Sequence, residues 1–328
     1  MDPTGSVASM SSPPAPAGSA DARRVAFLGP VGTFTEQVLR REQDLVESEL
    51  VPLGSMADVL FAVNEGDVDL GVVPIENAIE GTVNATIDTL AFDVDLLIRR
   101  ELVEPVSLHL LVRPGAPLGG IKQIHSIPVA AAQCRAWLRT TLPDAELRTA
   151  NSTAEAAETC ARLDDATVGA IANARAAEVY GLELGASDIE SHPENRTRFV
   201  VVGRSGIPAP TGHDKTSIVV YQQTDRPGSL LAILQEFAAR SINLTLLLSR
   251  PTKTSLGDYC FLLELDGHIA DEVVADCLRS LRSRQADVKF LGSYPAAGER
   301  GPVERARVDA AQQAADEWMA ALRSQIDA

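Results

Sequence analysis

The sequence predicts an α/β protein in which two lobes face each other across a cleft and a smaller ferredoxin-like module follows. Three observations carry that prediction. From Arg24 to Val202, short apolar runs closed by Gly or Pro alternate with helical stretches that open on capping residues, the strand–turn–helix succession of α/β sheets. The stretch Ser205 to Gly212 is rich in Gly and Pro and breaks that rhythm, as interdomain linkers do. After it, strand and helix patterns come in the order βαββαβ, the ferredoxin-like arrangement.

Each element has a local cause. Residues 1–22 are mostly Pro, Ser, Gly and Ala with no basic start or apolar core, so they read as a disordered tail rather than a signal peptide. Two lobes are expected over 23–204. Val25 to Leu28 is a strand, Gly29-Pro30-Val31-Gly32 turns the chain, and Thr33 with Glu36 opens a helix as a capping box, leaving further N–H groups free for an anion. Ser55 with Asp58 starts the next helix, and Leu70 to Val73 is a buried strand ending in Pro74-Ile75-Glu76-Asn77. A helix near Ala85 to Phe92 and strands at Leu96 to Leu102 and Leu108 to Val112 follow.

The second lobe then reads as helix Val129 to Leu142 stopped by Pro143, strand Glu146 to Thr149, helix Ser152 to Leu163, strand Val168 to Ile171 and helix Asn173 to Tyr180. Ser152 and Glu155 repeat the capping box, so Ser152-Thr153 is a second helix start able to receive a carboxylate. Such a succession favours a parallel sheet with ligands beyond the carboxyl ends of its strands. A linker is placed at 205–214, the module at 215–295 and an acidic helical tail at 296–328. Within the module the strands are Thr216 to Gln222, Asn243 to Ser249, Asp258 to Asp266 and Val288 to Tyr294, with helices Gly228 to Ser241 and Ala270 to Arg282.

Composition excludes several classes. A net charge of -16 over 328 residues argues against a nucleic-acid or anionic-membrane partner, because either needs clustered Lys and Arg. An anionic substrate must then be held by local donors. Cys134, Cys160, Cys260 and Cys277 are far apart and form no C-x-x-C pair, so neither a metal site nor a disulfide framework is expected and a reducing cytoplasm fits. No apolar run approaches the ~20 residues a membrane span needs.

One stretch stands apart: Glu194-Asn195-Arg196-Thr197-Arg198-Phe199-Val200-Val201-Val202, where a polar run ends abruptly in a strand. Alone it reads as a solvated strand edge. If it is extended, Thr197 shares a face with Asn195 and Phe199 while Arg196 and Arg198 point the other way. Arg198 is then either a substrate anchor or the partner of an acidic residue behind the sheet. Glu76 is similarly either a protonated acid near substrate or a residue turned away to orient Asn77.

Several fragments occur together in order: Phe27-Leu28-Gly29-Pro30 with Gly32-Thr33-Phe34, Val73-Pro74-Ile75-Glu76-Asn77 with Gly81, Gln133-Cys134, Ser152-Thr153-Ala154, and Asn195 with Thr197-Arg198-Phe199. In this combination the chain resembles prephenate dehydratase from about Arg24 to Tyr294. The resemblance implies a two-lobed catalytic domain like a periplasmic binding protein, its site in the interlobe cleft, and no cofactor or metal. It implies that Thr197 acts on the departing hydroxyl with Asn77 and Gln133 as polar partners of substrate, and that Glu76, Thr33, Ser152, Thr153, Arg198 and Phe199 bind substrate. Ala78 departs from the family's usual Ser.

The module resembles an ACT domain through Asp225-Arg226-Pro227-Gly228-Ser229-Leu230-Leu231 and Leu248-Ser249-Arg250-Pro251. That implies a phenylalanine effector held by Pro227, Gly228, Ser229, Leu230, Leu248, Ser249, Arg250 and Pro251 between subunits of a homodimer or homotetramer. Leu248 stands for the usual Glu and Ser229 for the usual Ala. Arogenate dehydratase and a non-catalytic small-molecule sensor are the competing readings. The short stretch before Arg24 leads to the expectation that no chorismate mutase is fused.

Overall fold

The computed structural model describes residues 23–222, 227–252, 258–284, 286–297 and 317–325. The expected tail over 1–22 and most of the expected acidic helix after Pro295 lie outside these residues; within the latter, 317–323 are helical.

Three sheets organise the described residues. The first has the order Glu49–Leu53, Arg24–Leu28, Leu70–Asn77, Arg196–Gly203, Leu97–Pro105, with the short Gly81–Thr82 strand folding back on Leu70–Asn77. Its first three strands are parallel, but Arg196–Gly203 runs antiparallel to both neighbours. The sheet is therefore mixed where the sequence pattern favoured a parallel one. The chain leaves this lobe after Pro105, builds the second lobe and returns from the end where the parallel strands finish, so the returning strand must run the opposite way. Its first residues consequently lie beside Asn77, at the finish of the central strand.

The second sheet has the order Glu183–Ala186, His109–Val112, Val168–Ala172, Gln123–Ser126, Glu146–Thr149; its last three strands are parallel and its first two antiparallel to their neighbours. Glu49–Leu53, Gln123–Ser126 and Glu183–Ala186 have no counterpart in the sequence reading, because short strands with polar or exposed positions lack a clear apolar signal. The expected helix Val129 to Leu142 is two helices, Pro128–Gln133 and Arg135–Thr141, broken at Cys134. The third sheet, Leu244–Pro251, Tyr259–Asp266, Asp214–Gln222, Ala286–Pro295, is wholly antiparallel, with helices Ser229–Ala238 and Glu272–Arg284 on one face.

The other face of that sheet is not solvated. Val219, Cys260, Leu262, Leu291 and Tyr294 join Val73, Ile98, Val200 and Val202 of the first lobe in one buried cluster. The two sheets approach so closely that a Cβ on Gly292 would fall 2.4 Å from the Ile98 carbonyl oxygen, and Gly292 has φ +138°. Glycine is required there by both space and conformation. Lys289 donates to the carbonyls of Ala91 and Val94 and Tyr221 to that of Ala91, satisfying the carbonyls where the helical stretch Asn84–Asp93 ends.

Candidate active site

The returning strand sets out two rows of side chains, because residues paired across a ladder share a face. On one face the register places Asn77, Thr197 and Glu104 side by side; on the other it places Glu76 beside Arg198. Asn77 Nδ2 donates to Thr197 Oγ1 at 2.9 Å. The amide orientation follows from its other end, since Asn77 Oδ1 accepts the N–H groups of Ile79 and Glu80, each at 3.0 Å. Thr197 thus receives a hydrogen bond on oxygen, and its own proton is left to donate elsewhere.

Gln133 reaches this row from the second lobe. Its Oε1 accepts from Asn195 Nδ2 at 3.2 Å and its Nε2 lies 3.5 Å from Glu80 Oε1. Asn195 is 1% exposed, and its Oδ1 is buried without a partner. Gln133 is thus linked to the Asn77–Thr197 pair through Glu80, whose N–H donates to Asn77, and is held by Asn195; the sequence reading placed Asn195 in the motif but not among the site residues.

Thr33 and Ser152 cap helices. Thr33 Oγ1 accepts the Glu36 N–H of helix Phe34–Arg41 and donates to the Leu28 carbonyl. Ser152 Oγ accepts the Glu155 N–H of helix Thr153–Leu163, whose second residue in the capping pattern, Thr153, is nearly buried. In both places the capping Glu reaches one residue further back than the box requires, Glu36 to the Gly32 N–H and Glu155 to that of Asn151. Both helix starts follow the carboxyl ends of parallel strands, Leu28 and Thr149.

A second link joins the lobes. Arg175, on the second lobe, donates to buried Glu36 at 3.0 Å, and Tyr180 donates to the Val31 carbonyl at 2.9 Å. Burial would raise the Glu36 carboxyl, but the Gly32 N–H, Arg40 and Arg175 together hold it below its ordinary value. Glu104 behaves oppositely: burial pushes it up, only partly offset by Gln37 and Arg41 from helix Phe34–Arg41. Sequence reading missed Glu104, which sits on a strand that also carries Arg99, Arg100 and Glu101 and so does not stand out.

Three expected substrate contacts face elsewhere. Phe199 is 2% exposed and packs with Phe27, Val38 and Leu102, so it is core. Arg198 turns behind the sheet, as period two allows, and forms a bidentate pair with Glu264. Glu76 shares that rear face, 3.5 Å from Arg198. Ala78 donates its N–H to the Arg196 carbonyl, which holds the backbone where the family's usual hydroxyl is absent.

In the module, a cavity of about 510 Å³ is lined by Gly228, Ser229, Leu230 and Ser249 together with Gln222, Leu231, Leu234, Tyr259 and Phe261. Gly228 takes φ +87° at the start of helix Ser229–Ala238, a conformation glycine adopts freely. Strand Leu244–Pro251 alternates in exposure, and this splits the expected effector set. Leu248 packs against the cluster shared with the first lobe, and Arg250 makes a bidentate pair with Asp88 at 2.8 and 2.9 Å. Neither faces the cavity, and neither Pro227 nor Pro251 lines it. Asp225 and Arg226 lie outside the described residues.

Known proteins share this sequence pattern and fold. The family model for prephenate dehydratase matches residues 25–206, and that for the ACT domain matches residues 216–283. A prephenate dehydratase from Mycolicibacterium vanbaalenii is 45% identical over 287 residues, covering 83% of this chain and 90% of the relative. The crystal structure of prephenate dehydratase from Arthrobacter aurescens in complex with L-Phe superposes with a TM-score of 0.80 at 39% identity, covering 92% of this chain and 99% of that one. A structure described as GqqA, a quorum quenching acylase, superposes with a TM-score of 0.75 at 28% identity, covering 86% of this chain and 100% of that one.

Proposed function

We propose roles for the residues of this cleft from one premise: the chain belongs to the prephenate dehydratase family. The reaction removes carbon dioxide and hydroxide from prephenate together, and the ring becomes aromatic as phenylpyruvate forms. Aromaticity drives the step, so the barrier is the expulsion of hydroxide.

Thr197 is the donor to that hydroxide. The observation that carries this reading is the direction of the Asn77–Thr197 hydrogen bond: the amide donates at 2.9 Å, so the Thr197 proton is directed outward. A hydroxyl can deliver this stabilisation while staying neutral beside two carboxylates. Preorganised donors of this kind lower a barrier by about 3–4 kcal/mol each. Because Thr197 meets an amide donor rather than a base, it is arranged to give a proton and not to attack a carbonyl, which favours dehydration over acyl transfer.

Gln133, oriented by Asn195, binds substrate from the opposite lobe. The helix starts at Thr33 and Ser152-Thr153 receive the side-chain carboxylate. The ring carboxylate leaves as neutral gas, so a strong cation on it would stabilise the ground state more than the transition state. Arg198, paired behind the sheet, respects that requirement. Phenylalanine is proposed as the effector, seated in the module's cavity and covered there by a second copy of the chain, in a homodimer or homotetramer working in the cytoplasm.

Turnover of prephenate to phenylpyruvate by Thr197→Ala and Thr197→Ser tests the central role. The alanine variant is expected to lose about 10²–10³ in kcat with its fold intact, and the serine variant to retain much more. Near-normal turnover by Thr197→Ala would remove Thr197 from this role. Comparing kcat/KM for prephenate and arogenate in the same assay separates the two dehydratase readings.

A further inference from the structure

Thr197 stands at the start of a strand whose rear face is held by the C-terminal module. Arg198, the next residue, donates through Nη1 to Glu264 Oε1 at 3.0 Å and through Nη2 to Oε2 at 2.6 Å. Glu264 lies on strand Tyr259–Asp266 of the module and is 1% exposed. Its carboxylate also accepts from Thr245 Oγ1 at 2.7 Å and from the Tyr294 hydroxyl at 3.1 Å. Lys215 Nζ sits 3.1 Å from Glu264 and 3.0 Å from Glu101. Arg198 and Lys215 thus face buried Glu264 and Glu101, with the more exposed Glu76 also 3.5 Å from Arg198, and removing a buried member strands a charge.

The main chain is irregular on one side of this point. The pairing of Arg196–Gly203 with Leu70–Asn77 slips between Arg198 and Phe199, where Ile75 of the partner strand is skipped and Pro74 stands opposite Phe199. Proline has no N–H to give the ladder, and such irregularities bend a strand and re-aim its side chains. On that side the ladder is interrupted within two residues of Thr197, while pairing with Leu97–Pro105 runs unbroken from Arg196 to Val201. Two side-chain anchors add to this backbone pairing at the strand start, Asn77 in front and Glu264 behind.

We propose that Glu264 is a positioning residue for the dehydration, supplied by the C-terminal module: by holding Arg198 from the rear it keeps the Thr197 hydroxyl against Asn77. This rests on the role given to Thr197. Glu264 touches no substrate; it acts through Arg198. The same strand carries Tyr259 and Phe261 to the module's cavity, so that cavity and the strand of Thr197 share one rigid element.

The test uses the full-length chain, with kcat and KM for prephenate and thermal unfolding measured together. Glu264→Gln keeps the size and removes the charge; kcat is expected to fall on the order of ten-fold with KM little changed, and Glu264→Asp to recover part of it. Val274→Ala, a cavity in the module core away from Arg198, is expected to lower the melting temperature while keeping kcat. The double variant Arg198→Met with Glu264→Leu leaves no half-pair, so it is expected to fold and still turn over slowly. Unchanged kcat in either Glu264→Gln or the double variant overturns the proposal, as does an equal loss of kcat in Val274→Ala. Thr197→Ala runs alongside: if it is active, the Thr197 reading has failed, whereas an inactive Thr197→Ala with a normal Glu264→Gln refutes only the positioning role.

Discussion

In the folded chain Asn77 donates to Thr197 while its own oxygen is held by the Ile79 and Glu80 N–H groups, and this fixed polarity makes a distinctive prediction. Asn77→Asp preserves the shape but has no donor, so the Thr197 hydroxyl would turn and give its proton to the carboxylate. It also adds a charge beside a dianionic substrate. Asn77→Ala merely frees the hydroxyl to rotate. Asp is therefore expected to cost more kcat than Ala, on the order of 10³ against 10², in the phenylpyruvate assay; equal or better turnover by the Asp variant contradicts the assigned polarity. Thr197, Asn77 and Gln133 came from the motifs of the family resemblance, with the need for a neutral donor adding to Thr197; their hydrogen-bonded arrangement was not visible in the sequence. The rear position of Arg198 was legible from period two alone, but its partner was not. Glu264 is 66 residues away, and the signal it leaves is a lone carboxylate in the apolar run Cys260 to Leu265.

At the scale of the element, long strands and capped helices announced themselves, while the strands that escaped notice are short and partly polar. Gln123–Ser126 alternates one buried apolar residue with polar ones, and Glu146–Thr149, which was found, is exposed throughout; neither is told by periodicity alone. The strand Ala286–Pro295 was legible, but its closeness to Leu97–Pro105 was not, because nothing local marks Gly292 as a point of backbone contact. That contact gives the next prediction. In Gly292→Ala the new Cβ would lie 2.4 Å from the Ile98 carbonyl oxygen at a φ of +138°, so the module must shift off the first lobe. A loss of about 2–3 kcal/mol is expected in urea unfolding, with kcat lowered because Glu264 moves with the sheet. Wild-type stability in this variant would mean that the two sheets are not in the contact described.

Over the whole molecule the second lobe and the module relate to the first lobe differently. The module shares an extended buried apolar cluster with it, whereas the second lobe is joined by two chain crossings, by the half-buried Phe34 and by polar contacts such as Glu36–Arg175. The first lobe and module should therefore unfold as one unit and the second lobe as another. The thiols report on this without any added label. Burial pushes Cys134 up to about 12 and Cys160, Cys260 and Cys277 up to about 11, so at neutral pH the native protein is expected to resist alkylation at all of them. Cys134 and Cys160 sit in clusters of the second lobe, Cys260 in the cluster shared by first lobe and module, and Cys277 on the opposite face of the module's sheet. Alkylation in rising urea, read residue by residue by mass spectrometry, is expected to expose Cys260 and Cys277 together at one midpoint and Cys134 and Cys160 at another. If Cys277 became reactive at a lower urea concentration than Cys260, the module would be opening while its contact with the first lobe persisted. If Cys260 led, the module would be detaching as a folded body, and the Arg198–Glu264 pair would be the first structure lost.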